Sequence, residues 1–436
     1  MHTQYLYILC THVHRWREGG REREREREIY IYIERDQTFV HEDLRKSVTK
    51  NKHPWLYDRA LRNQPEIPAG EIVAVCWKKQ MLACGFHDPT SPLRVRLLWW
   101  PEDGPPMPGD PSWAQGIARR AAARRQKDAT LRCSSGLRLL HGEADWAPGL
   151  VLDAYGDRAV CAFDGVGAEA FWRPRLPSII EAFGEAGYKL SGVINKDGTE
   201  TLWGTAPSKE ASRFEENGVV YEVDVWHGHK TGFFLDQRPN RLRLRELAAG
   251  KDVLDLFSYT GGFAVAAALG GARVCCAVDS ARKAVEACQR NFRLNGLHAQ
   301  VCSGTEQSQT TQNMIHLADC WEFLRDAAEA KDAFDIVVCD PPSMAPRASA
   351  KPKALKAYGS LNQGALKVLR PGGRLISCSC SSHITRKDLL NTVEEAAQLL
   401  GRAVVLEEEG SAGADHPTRR GFREGEYLQV LHFIVQ

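Results

Sequence analysis

The stretch from Val253 to Leu297 reads VLDLFSYTGGFAVAAALGGARVCCAVDSARKAVEACQRNFRLNGL. An apolar strand containing Asp255 leads into a turn of small residues, Ser258 to Gly262, which opens a helix, and a second apolar strand ends at Asp279. Glycines let a backbone approach a ligand closely, and a helix N-terminus presents free N–H groups. An acidic residue at the end of the second strand can accept both hydroxyls of a ribose. The stretch therefore predicts a nucleoside-containing cofactor on a parallel α/β sheet.

The kind of cofactor follows from what this turn lacks. It has neither the three-glycine spacing of dinucleotide-binding loops nor the Lys-Ser/Thr of a phosphate-binding loop. S-adenosylmethionine, which carries a sulfonium and an amino-acid zwitterion instead of a pyrophosphate, suits such a turn. This indicates a methyltransferase. The alternative is an ordinary tight turn of an α/β protein that binds nothing.

Two later strands end in acidic residues that fit the same site. The segment HLADCWEFL places Asp319 after a third strand, where it would bond an adenine amino group or simply cap the following helix. The segment FDIVVCDPPS ends a fourth strand in Asp340-Pro341-Pro342, which stiffens the backbone beside the pocket. The predicted cofactor-binding residues are Gln237, Arg238, Asp255, Phe257, Ser258, Thr260, Gly261, Gly262, Asp279, Ser280, Asp319, Cys320 and Asp340.

The composition of the whole chain limits the other possibilities. Its 436 residues are 43% hydrophobic and 26% charged, with a formal net charge of +2, so any surface for nucleic acid must come from local clustering. No apolar run is long enough to span a bilayer, and the N-terminus does not resemble a secretory signal. The 13 cysteines are scattered, which predicts reduced thiols, an intracellular protein and no metal.

Four segments differ in sequence style. Residues 1–40 contain the dipeptide repeat REREREREIYIYIERD and are predicted to be low-complexity and disordered. Short apolar runs between turn residues predict a small β-rich domain at 41–113. Residues 114–216 mix strands and helices, and apolar strands alternate with amphipathic helices over 217–436, as a parallel α/β domain requires. The segment 217–238 alternates like a hairpin, and the polar stretch 301–314 is predicted to be an exposed loop.

A basic helix opens the second of these segments. The sequence GIARRAAARRQKDATLR, residues 116–132, is alanine-rich and predicted to be helical. Its arginines would meet RNA phosphates or lie on a solvated helix face, and the pattern does not decide between the two. Lys230 is a further candidate for phosphate, with a salt bridge as the alternative. The predicted RNA-binding residues are Arg119, Arg120, Arg124, Arg125 and Lys230.

With these motifs in place, the chain resembles the bacterial family of large-subunit (23S) ribosomal RNA cytosine-5 methyltransferases I. The matching strings are HPWLYDRAL, GEADWAPGLVLDAYGDRAV, HGHKTGFFLDQR, FSYTGGFAVAAALGGA, DPPS, SCS and ADHPTRRGFREGEYLQV, and the resemblance runs from Glu42 to the C-terminus. It implies a PUA-like RNA-binding domain, an α/β connector domain and a Rossmann-like class I methyltransferase domain. It also implies S-adenosylmethionine as cofactor and ribosomal RNA as partner.

The chemistry of cytosine C5 identifies the predicted catalytic residues. C5 becomes nucleophilic only after a thiolate has added to C6, so the site needs a cysteine. The family's Ser-Cys-Ser falls on Ser379-Cys380-Ser381, and Cys380 lies farther out on its strand than Cys378, which shares its face. Cys380 is the predicted nucleophile, and Asp340 is predicted to orient or protonate the ring. Inert core thiols are the alternative.

Two other functions stay open at this point. The first is that of an RNA guanine methyltransferase, which needs no thiol. The second is that of a non-catalytic RNA-binding or ribosome-assembly factor that retains the fold. The resemblance to a bacterial-type enzyme, together with the unusual N-terminus, leaves the compartment open between cytoplasm, chloroplast and mitochondrion. The oligomeric state is open between a monomer and a homodimer.

Overall fold

The computed structural model describes residues 30–31, 45–61, 66–77, 80–207, 211–303 and 312–436. They form a five-stranded sheet near the N-terminus, a second five-stranded sheet, a two-stranded hairpin and an eight-stranded C-terminal sheet. The predicted fold class, a Rossmann-like methyltransferase domain preceded by a PUA-like domain and an α/β connector, is confirmed.

The first sheet has the order β1-β3-β4-β5-β2. Its strands are β1 Tyr30–Ile31, β2 Trp55–Tyr57, β3 Ile72–Trp77, β4 Gln80–His87 and β5 Leu93–Trp99. Alternate side chains of the strands, such as Val73, Val75, Val95 and Leu97, enter a common core. Strand β1 comes from the dipeptide-repeat segment; the rest of residues 1–44 lies outside the described residues, so its predicted disorder stays a prediction.

The connector domain packs helices on a sheet of order β10-β9-β8-β7-β6. Its elements are α1 Pro111–Lys127, α2 Ala129–Arg132, β6 Gly136–His141, β7 Leu150–Tyr155, β8 Arg158–Phe163, α3 Val166–Trp172, α4 Leu176–Glu185, β9 Gly192–Asn195 and β10 Thr201–Gly204. Helix α1 begins earlier than the sequence predicts, because Asp110 caps it by accepting from Ser112 N at 2.7 Å. The predicted boundary at 113/114 therefore falls inside a helix, and Trp113 stacks on Trp172 in the connector core.

The hairpin is formed by β11 Ser212–Glu216 and β12 Val219–Val223. Its two-residue turn is Asn217-Gly218, with φ of 51° and 74°, the left-handed pair that tight hairpins require. The sequence predicts a hairpin within 217–238, but the partner of β12 lies upstream. The predicted domain boundary at 216/217 consequently cuts the turn.

The C-terminal sheet has the order β15-β16-β14-β13-β17-β18-β20-β19, and its six strands from β15 to β18 run parallel. Strand β20 is antiparallel to both neighbours. The elements are α5 Arg238–Leu247, β13 Asp252–Leu256, α6 Gly262–Leu269, β14 Val274–Asp279, α7 Arg282–Leu294, β15 Gln300–Ser303, β16 Asn313–Leu317, α8 Cys320–Glu329, β17 Phe334–Cys339, α9 Lys351–Lys367, β18 Leu369–Ser379, α10 Arg386–Leu399, β19 Val404–Gly410 and β20 Gln429–Val435.

Five strands of this sheet, β13, β14, β16, β17 and β18, coincide with strands that the sequence predicts. The central ones, such as β13 and β17, are buried on both faces, which explains why they read as continuous apolar runs. The predicted exposed loop at 301–314 is wrong at both ends, because residues 301–303 belong to β15 and residues 313–314 to β16. Residues 304–311 of that stretch lie outside the described residues.

Short 3₁₀ turns complete the chain at Asp58–Ala60, Pro101–Asp103, Gly142–Asp145, Arg173–Arg175, Leu235–Gln237, Ala348–Ala350 and Arg423–Gly425. The carboxyl ends of β13, β14, β16, β17 and β18 meet at one edge of the C-terminal sheet. In an open parallel sheet this edge, at the point where the strand order reverses, is where ligands bind. The 3₁₀ turn at Leu235–Gln237 lies against the same edge.

The loop between β19 and β20, residues 411–428, ties the three domains together. The Asp415 carboxylate pairs with Arg238 at 2.8 Å and accepts from Arg138 N at 2.8 Å, which joins the methyltransferase and connector domains. Arg419 lies over the rings of Trp100 and Trp146, at 5.3 and 4.1 Å from their centroids, which adds the N-terminal domain.

Candidate active site

The turn after β13 has a backbone that only tight local constraints produce. Phe257, Tyr259 and Gly261 all have positive φ, at 58°, 49° and 80°. Backbone bonds hold the turn on the sheet, since Ser258 N donates to the carbonyl of Val278 at 3.0 Å. Phe257 and Tyr259 are not glycines, so the left-handed conformation is energetically unfavourable for them. Such strained backbone is typical of functional sites.

Gly261 is required at its position for steric reasons as well. A Cβ on this residue would lie 2.3 Å from the Cys288 sulfur on α7. Because the turn presses so closely on α7, it brings the N-terminus of α6 to the sheet edge. Asp255 Oδ2 accepts from Ala264 N at 3.0 Å inside the first turn of α6.

Three buried polar atoms of this turn are left without a partner among the described residues. They are Asp255 Oδ1, Ser258 Oγ and Thr260 Oγ1. Burial, together with the charges of Asp340 and Asp279, raises the pKa of Asp255 well above its usual range. Buried polar groups are nearly always hydrogen-bonded, so this cluster fits a ligand that brings both donors and acceptors. The amino-acid end of S-adenosylmethionine is such a ligand.

Asp279, at the end of β14, is largely occupied by the backbone. Its Oδ2 accepts from Tyr259 N at 2.8 Å and its Oδ1 from Ala281 N at 2.9 Å. Each carboxylate oxygen keeps a second acceptor site, so the side chain can still bind ribose hydroxyls while it holds the turn. The neighbouring Ser280 is exposed.

The third strand end serves the helix that follows it. Asp319 caps α8 by accepting from Trp321 N at 2.9 Å and Glu322 N at 3.2 Å, which is the alternative that the sequence left open. Its contact with adenine stays a prediction. Cys320 Sγ accepts from Phe257 N at 3.3 Å and thereby links the start of α8 to the cofactor turn. The Phe257 ring meets Trp321 edge-on at 5.3 Å.

Asp340, the residue after β17, lies in a second corner of the site. Gln237 Nε2 donates to Asp340 Oδ2 at 3.0 Å, so Gln237 faces the predicted catalytic carboxyl. Burial, and next the charge of Asp236, raise the pKa of Asp340 to about 6. A carboxyl with such a pKa can either give or accept a proton near neutral pH.

Lys230 also belongs to this corner. Its ammonium pairs with Asp236 at 2.9 Å and lies 4.5 Å from the centroid of the Phe234 ring. Tyr427, from the β19–β20 loop, donates to the same Asp236 oxygen at 2.7 Å. The salt-bridge alternative for Lys230 is therefore what the structure contains, with the difference that its partner is buried.

Cys378 and Cys380 have different environments although they share a strand face. Cys378 is fully buried, and burial raises the pKa of its thiol well above the usual range. Cys380 follows the strand, is half-buried, and donates from Sγ to the Pro341 carbonyl at 3.9 Å. Burial, and then the charge of Asp340, raise the pKa of Cys380 to about 11, while Lys230 lowers it.

The serines on either side of Cys380 anchor the loop that carries it. Ser379 Oγ accepts from the Tyr358 hydroxyl at 2.9 Å. Ser381 Oγ lies 3.0 Å from Ser343 Oγ and accepts from Ala345 N at 3.2 Å. These bonds attach the Cys380 loop to the segment after Asp340-Pro341-Pro342 and so hold the thiol beside that carboxyl.

The arginines of α1 differ in burial and in their ion-pair partners. Arg125 is fully buried and pairs with Asp145 at 2.6 Å, so the prediction that it binds RNA is wrong; its alkyl chain and guanidinium fill the connector core. Arg124 pairs with the same Asp145 at 2.8 Å. Arg119 and Arg120 are exposed, and Arg119 pairs with Glu185 at 2.9 Å. RNA binding by Arg119, Arg120, Arg124 and Lys230 stays a prediction.

Arg238 also differs from expectation. Its guanidinium is buried between Asp415 at 2.8 Å and Glu216 at 3.4 Å, and it donates to the Gly136 carbonyl. The side chain therefore joins domains, and the structure corrects its assignment to the cofactor. Sequence reasoning missed Asp236 and Tyr427. The available signal for Asp236 was an acidic residue directly after the apolar run Phe233–Leu235.

The described residues contain no group of three or more His, Cys, Asp or Glu side chains arranged to hold a metal ion. None of their helices has the length and apolarity to cross a membrane.

Comparison with known proteins places this site in a class. The S-adenosylmethionine-dependent methyltransferase family matches residues 195–411, and the PUA-like domain family matches residues 45–100. A SAM-dependent methyltransferase from Streptococcus mutans superposes with a TM-score of 0.72 at 21% identity, covering 93% of this chain and 99% of that one. Fold and cofactor turn thus define an S-adenosylmethionine-dependent methyltransferase.

The relatives narrow the class to a family. The chain is 34% identical over 403 residues to the ribosomal RNA large subunit methyltransferase of Deinococcus radiodurans, covering 88% of this chain and 93% of the relative. It is 31% identical over 404 residues to the ribosomal RNA large subunit methyltransferase I of Tolumonas auensis, covering 90% and 98%. The chain belongs to the ribosomal RNA large subunit methyltransferase family. The predictions of methyltransferase activity and of S-adenosylmethionine as cofactor are confirmed.

Proposed function

We propose that this enzyme methylates C5 of a cytosine in large-subunit ribosomal RNA through a covalent adduct between Cys380 and C6 of the base. The observation that carries the proposal is the arrangement of one half-buried thiol, Cys380, beside a carboxyl with a raised pKa, Asp340. Methylation of a guanine would use the same cofactor but would have no use for this thiol. The names of the relatives in Deinococcus radiodurans and Tolumonas auensis support ribosomal RNA as substrate.

The cofactor turn and the corner around Asp340 divide the work. The residues with the groups to hold S-adenosylmethionine are Asp255, Ser258, Thr260 and Asp279, which present buried or backbone-fixed oxygens. When bound, S-adenosylmethionine supplies an electrophilic methyl group on a sulfonium. The target base must leave its stack to enter the corner where Asp340 and Cys380 face it.

The reacting groups of the chain act in order. Cys380 loses its proton to solvent water and its sulfur forms a bond to C6, while Asp340 gives a proton to N3, so that C5 gains the electron pair that takes the methyl group. A protonated Asp340 also removes the negative charge that most disfavours the Cys380 thiolate after burial itself. A base then takes the C5 proton, the sulfur–C6 bond breaks, and N3 returns its proton to Asp340.

Product analysis tests this proposal directly. The protein is incubated with a large-subunit rRNA transcript and S-adenosylmethionine labelled in the methyl group, and the RNA is digested to nucleosides for mass spectrometry. We expect 5-methylcytidine. Methylated guanosine would overturn the proposal, and cofactor binding without any methyl transfer would favour a non-catalytic assembly factor.

A mechanism-based trap tests the covalent step. In a transcript containing 5-fluorocytidine, the fluorine cannot leave as a proton does, so elimination stops and the protein stays attached to RNA. We expect a complex that survives denaturation, with the adduct mapped by peptide mass spectrometry to Cys380. An adduct on Cys378, or none on a transcript that is otherwise methylated, would contradict the proposed nucleophile. Location in the cytoplasm or an organelle, and a homodimer, stay predictions from sequence.

A further inference from the structure

The 3₁₀ turn Leu235–Gln237 brings two polar side chains to Asp340 that the chemistry above does not yet use. Gln237 contacts Asp340 directly, with Nε2 3.0 Å from Oδ2. Asp236, the preceding residue, is the negative charge that acts most strongly on Asp340. Both residues come from a segment more than 80 positions upstream of Asp340, so only the fold brings them there.

The orientation of the Gln237 amide is fixed by its other neighbour. Asn240 Nδ2 donates to Gln237 Oε1 at 2.6 Å and to the Ser411 carbonyl at 3.1 Å. Because the amide oxygen of Gln237 faces this donor, its NH₂ group must face Asp340. Asp340 Oδ2 therefore acts as an acceptor, whereas Oδ1 has no hydrogen-bond partner among the described residues. Oδ1 is the oxygen left to hold a proton and meet a base.

Asp236 is held in its charged form by two donors. Lys230 and Tyr427 both donate to its Oδ2, at 2.9 and 2.7 Å, while its Oδ1 is buried and has no hydrogen-bond partner in the part of the chain that the structure describes. Burial alone would raise the pKa of Asp236, but Lys230 and then His416 hold it well below its usual range. Two neighbouring carboxyls cannot both ionise cheaply, so a fixed charge on Asp236 favours a proton on Asp340.

We propose that Asp236 and Gln237 are positioning residues for Asp340: Gln237 fixes its orientation, and the charge of Asp236 keeps a proton on it, so that the site selects cytosine over uracil. The inference rests on the proposed methylation at C5. Both pyrimidines can accept a thiolate at C6, so the nucleophile does not distinguish them. The discrimination lies at N3, which accepts a hydrogen bond in cytosine and carries a hydrogen in uracil.

The proton balance follows from this difference. Asp340 with a proton on Oδ1 donates to N3 of cytosine, transfers that proton as the thiolate adds, and takes it back when the thiolate leaves. Uracil presents N3–H, which would meet that proton and needs an ionised Asp340 instead. A polar group left unpaired in a closed site is unfavourable enough to give a clear preference between the two bases.

Several other groups act on Asp340 from the elements around it. They are Lys230 in the loop before the 3₁₀ turn, Arg241 on α5, Asp255 on β13, Tyr358 on α9, and Cys378 and Cys380 at the end of β18. Lys230 and Arg241 favour the ionised carboxyl, and Asp255 opposes it when charged. Asp236 and Gln237, neighbours on one 3₁₀ turn, have opposite effects on Asp340, because the charge of Asp236 repels the anion and Gln237 donates to it.

The experiment compares two transcripts that differ at one position. One carries the cytosine found to be methylated by product analysis, and the other carries uridine there; single-turnover methyl transfer is measured on both over a range of pH. The ratio of the two rates reports the protonated against the ionised Asp340, and the ionisation of Cys380 cancels. We expect the cytosine-to-uridine ratio of the unaltered protein to fall as pH rises.

The two residues should shift this ratio in opposite directions. Asp236→Asn removes the repelling charge, lowers the pKa of Asp340 and should lower the ratio about tenfold. Gln237→Leu removes a donor to the anion, raises that pKa and should raise the ratio about fivefold. Asp236→Glu keeps the charge and should keep a ratio near that of the unaltered protein. Each variant tests the inference alone, provided that it still binds S-adenosylmethionine in calorimetry.

The outcomes separate the inference from the function on which it rests. Equal losses on both transcripts, with an unchanged ratio, would mean that Asp236 and Gln237 only support the fold, and would overturn the inference while leaving cytosine methylation intact. No methyl transfer by the unaltered protein to the cytosine transcript would instead reject the proposed function.

Discussion

The cofactor turn and the corner around Asp340 lie at the same sheet edge but are built in opposite ways. The turn consists of consecutive residues, Asp255 to Gly262, fixed by a few backbone bonds to β14. The corner is assembled from four segments: the stretch from Lys230 to Gln237, the end of β17, the end of β18, and the β19–β20 loop. The cofactor turn is determined by local steric constraints, whereas the corner around Asp340 forms only when the domain has folded.

This difference predicts how each region fails. A substitution in the turn meets the backbone itself, so it should cost stability and cofactor affinity together. A substitution in the corner removes a chemical group from an otherwise intact scaffold, so it should cost rate or selectivity. Four experiments test this contrast.

The largest expected effect is in the corner. Cys380→Ala removes the proposed nucleophile and should reduce methyl transfer about 10⁴-fold or more, with S-adenosylmethionine affinity in calorimetry unchanged. Cys378→Ala is the matched control, since that thiol is fully buried and should affect stability far more than rate. Comparable loss of turnover in both variants would mean that the two thiols act together or that neither is the nucleophile.

The next effect is in the turn. Gly261→Ala places a Cβ 2.3 Å from the Cys288 sulfur at a φ of 80°, and should lower the free energy of unfolding by about 2 to 4 kcal/mol. Gly359→Ala is the control, because a Cβ there meets nothing within 4 Å inside helix α9, and it should not destabilise. Chemical denaturation measures both. A Gly261→Ala protein as stable as the unaltered one would show that the turn tolerates a side chain.

A smaller effect distinguishes the two acidic strand ends of the cofactor half. Asp279→Asn turns one acceptor of the pair that binds Tyr259 N and Ala281 N into a donor, so S-adenosylmethionine should bind about tenfold more weakly in calorimetry. Asp319→Ser keeps the helix cap on α8 and should leave the affinity within about twofold of the original. A large loss for Asp319→Ser would restore the predicted contact between Asp319 and adenine.

The smallest effect concerns the basic helix. Arg120→Ala should weaken binding to an rRNA transcript by a few-fold and reduce the salt dependence of binding by about one charge, if this exposed side chain meets a phosphate. Arg119 pairs with Glu185, so Arg119→Ala serves as its comparison on the same helix. Filter binding over a series of salt concentrations measures both, and an unchanged slope for Arg120→Ala would assign the helix face to solvent.

Some residues of the site could be predicted from the sequence alone, and others could not. Asp279 and Asp340 at their strand ends, and Asp255 just before the end of β13, were predictable, because buried parallel strands read as apolar runs and each acid stands at or next to the end of such a run. The choice of Cys380 over Cys378 followed from its position beyond the strand, and the difference in burial agrees with it. Helix α1 gave no such signal, since a buried arginine and an exposed one look alike in a basic helix.

The domain boundaries failed for a related reason. Both predicted boundaries lie where the sequence changes style, at 113/114 and 216/217, yet the chain continues through them as a helix and as a hairpin turn. An element that packs against two domains does not show the sequence pattern typical of either domain. The β19–β20 loop likewise packs between domains, where its charged residues Asp415 and Arg419 are buried.

The features that could be predicted from the sequence depend on interactions between residues close together in the chain, whereas the other features depend on contacts between distant segments. Periodicity, glycines with left-handed backbone and apolar runs act between near neighbours in the chain, so the turn of Asp255 to Gly262 and the sheet beneath it were written in the residues. The charge state of a carboxyl depends on what stands a few ångströms away in space. That Lys230 and Tyr427 hold Asp236 ionised, and that Asp236 and Gln237 act together on Asp340, was decided only when distant segments met at one sheet edge.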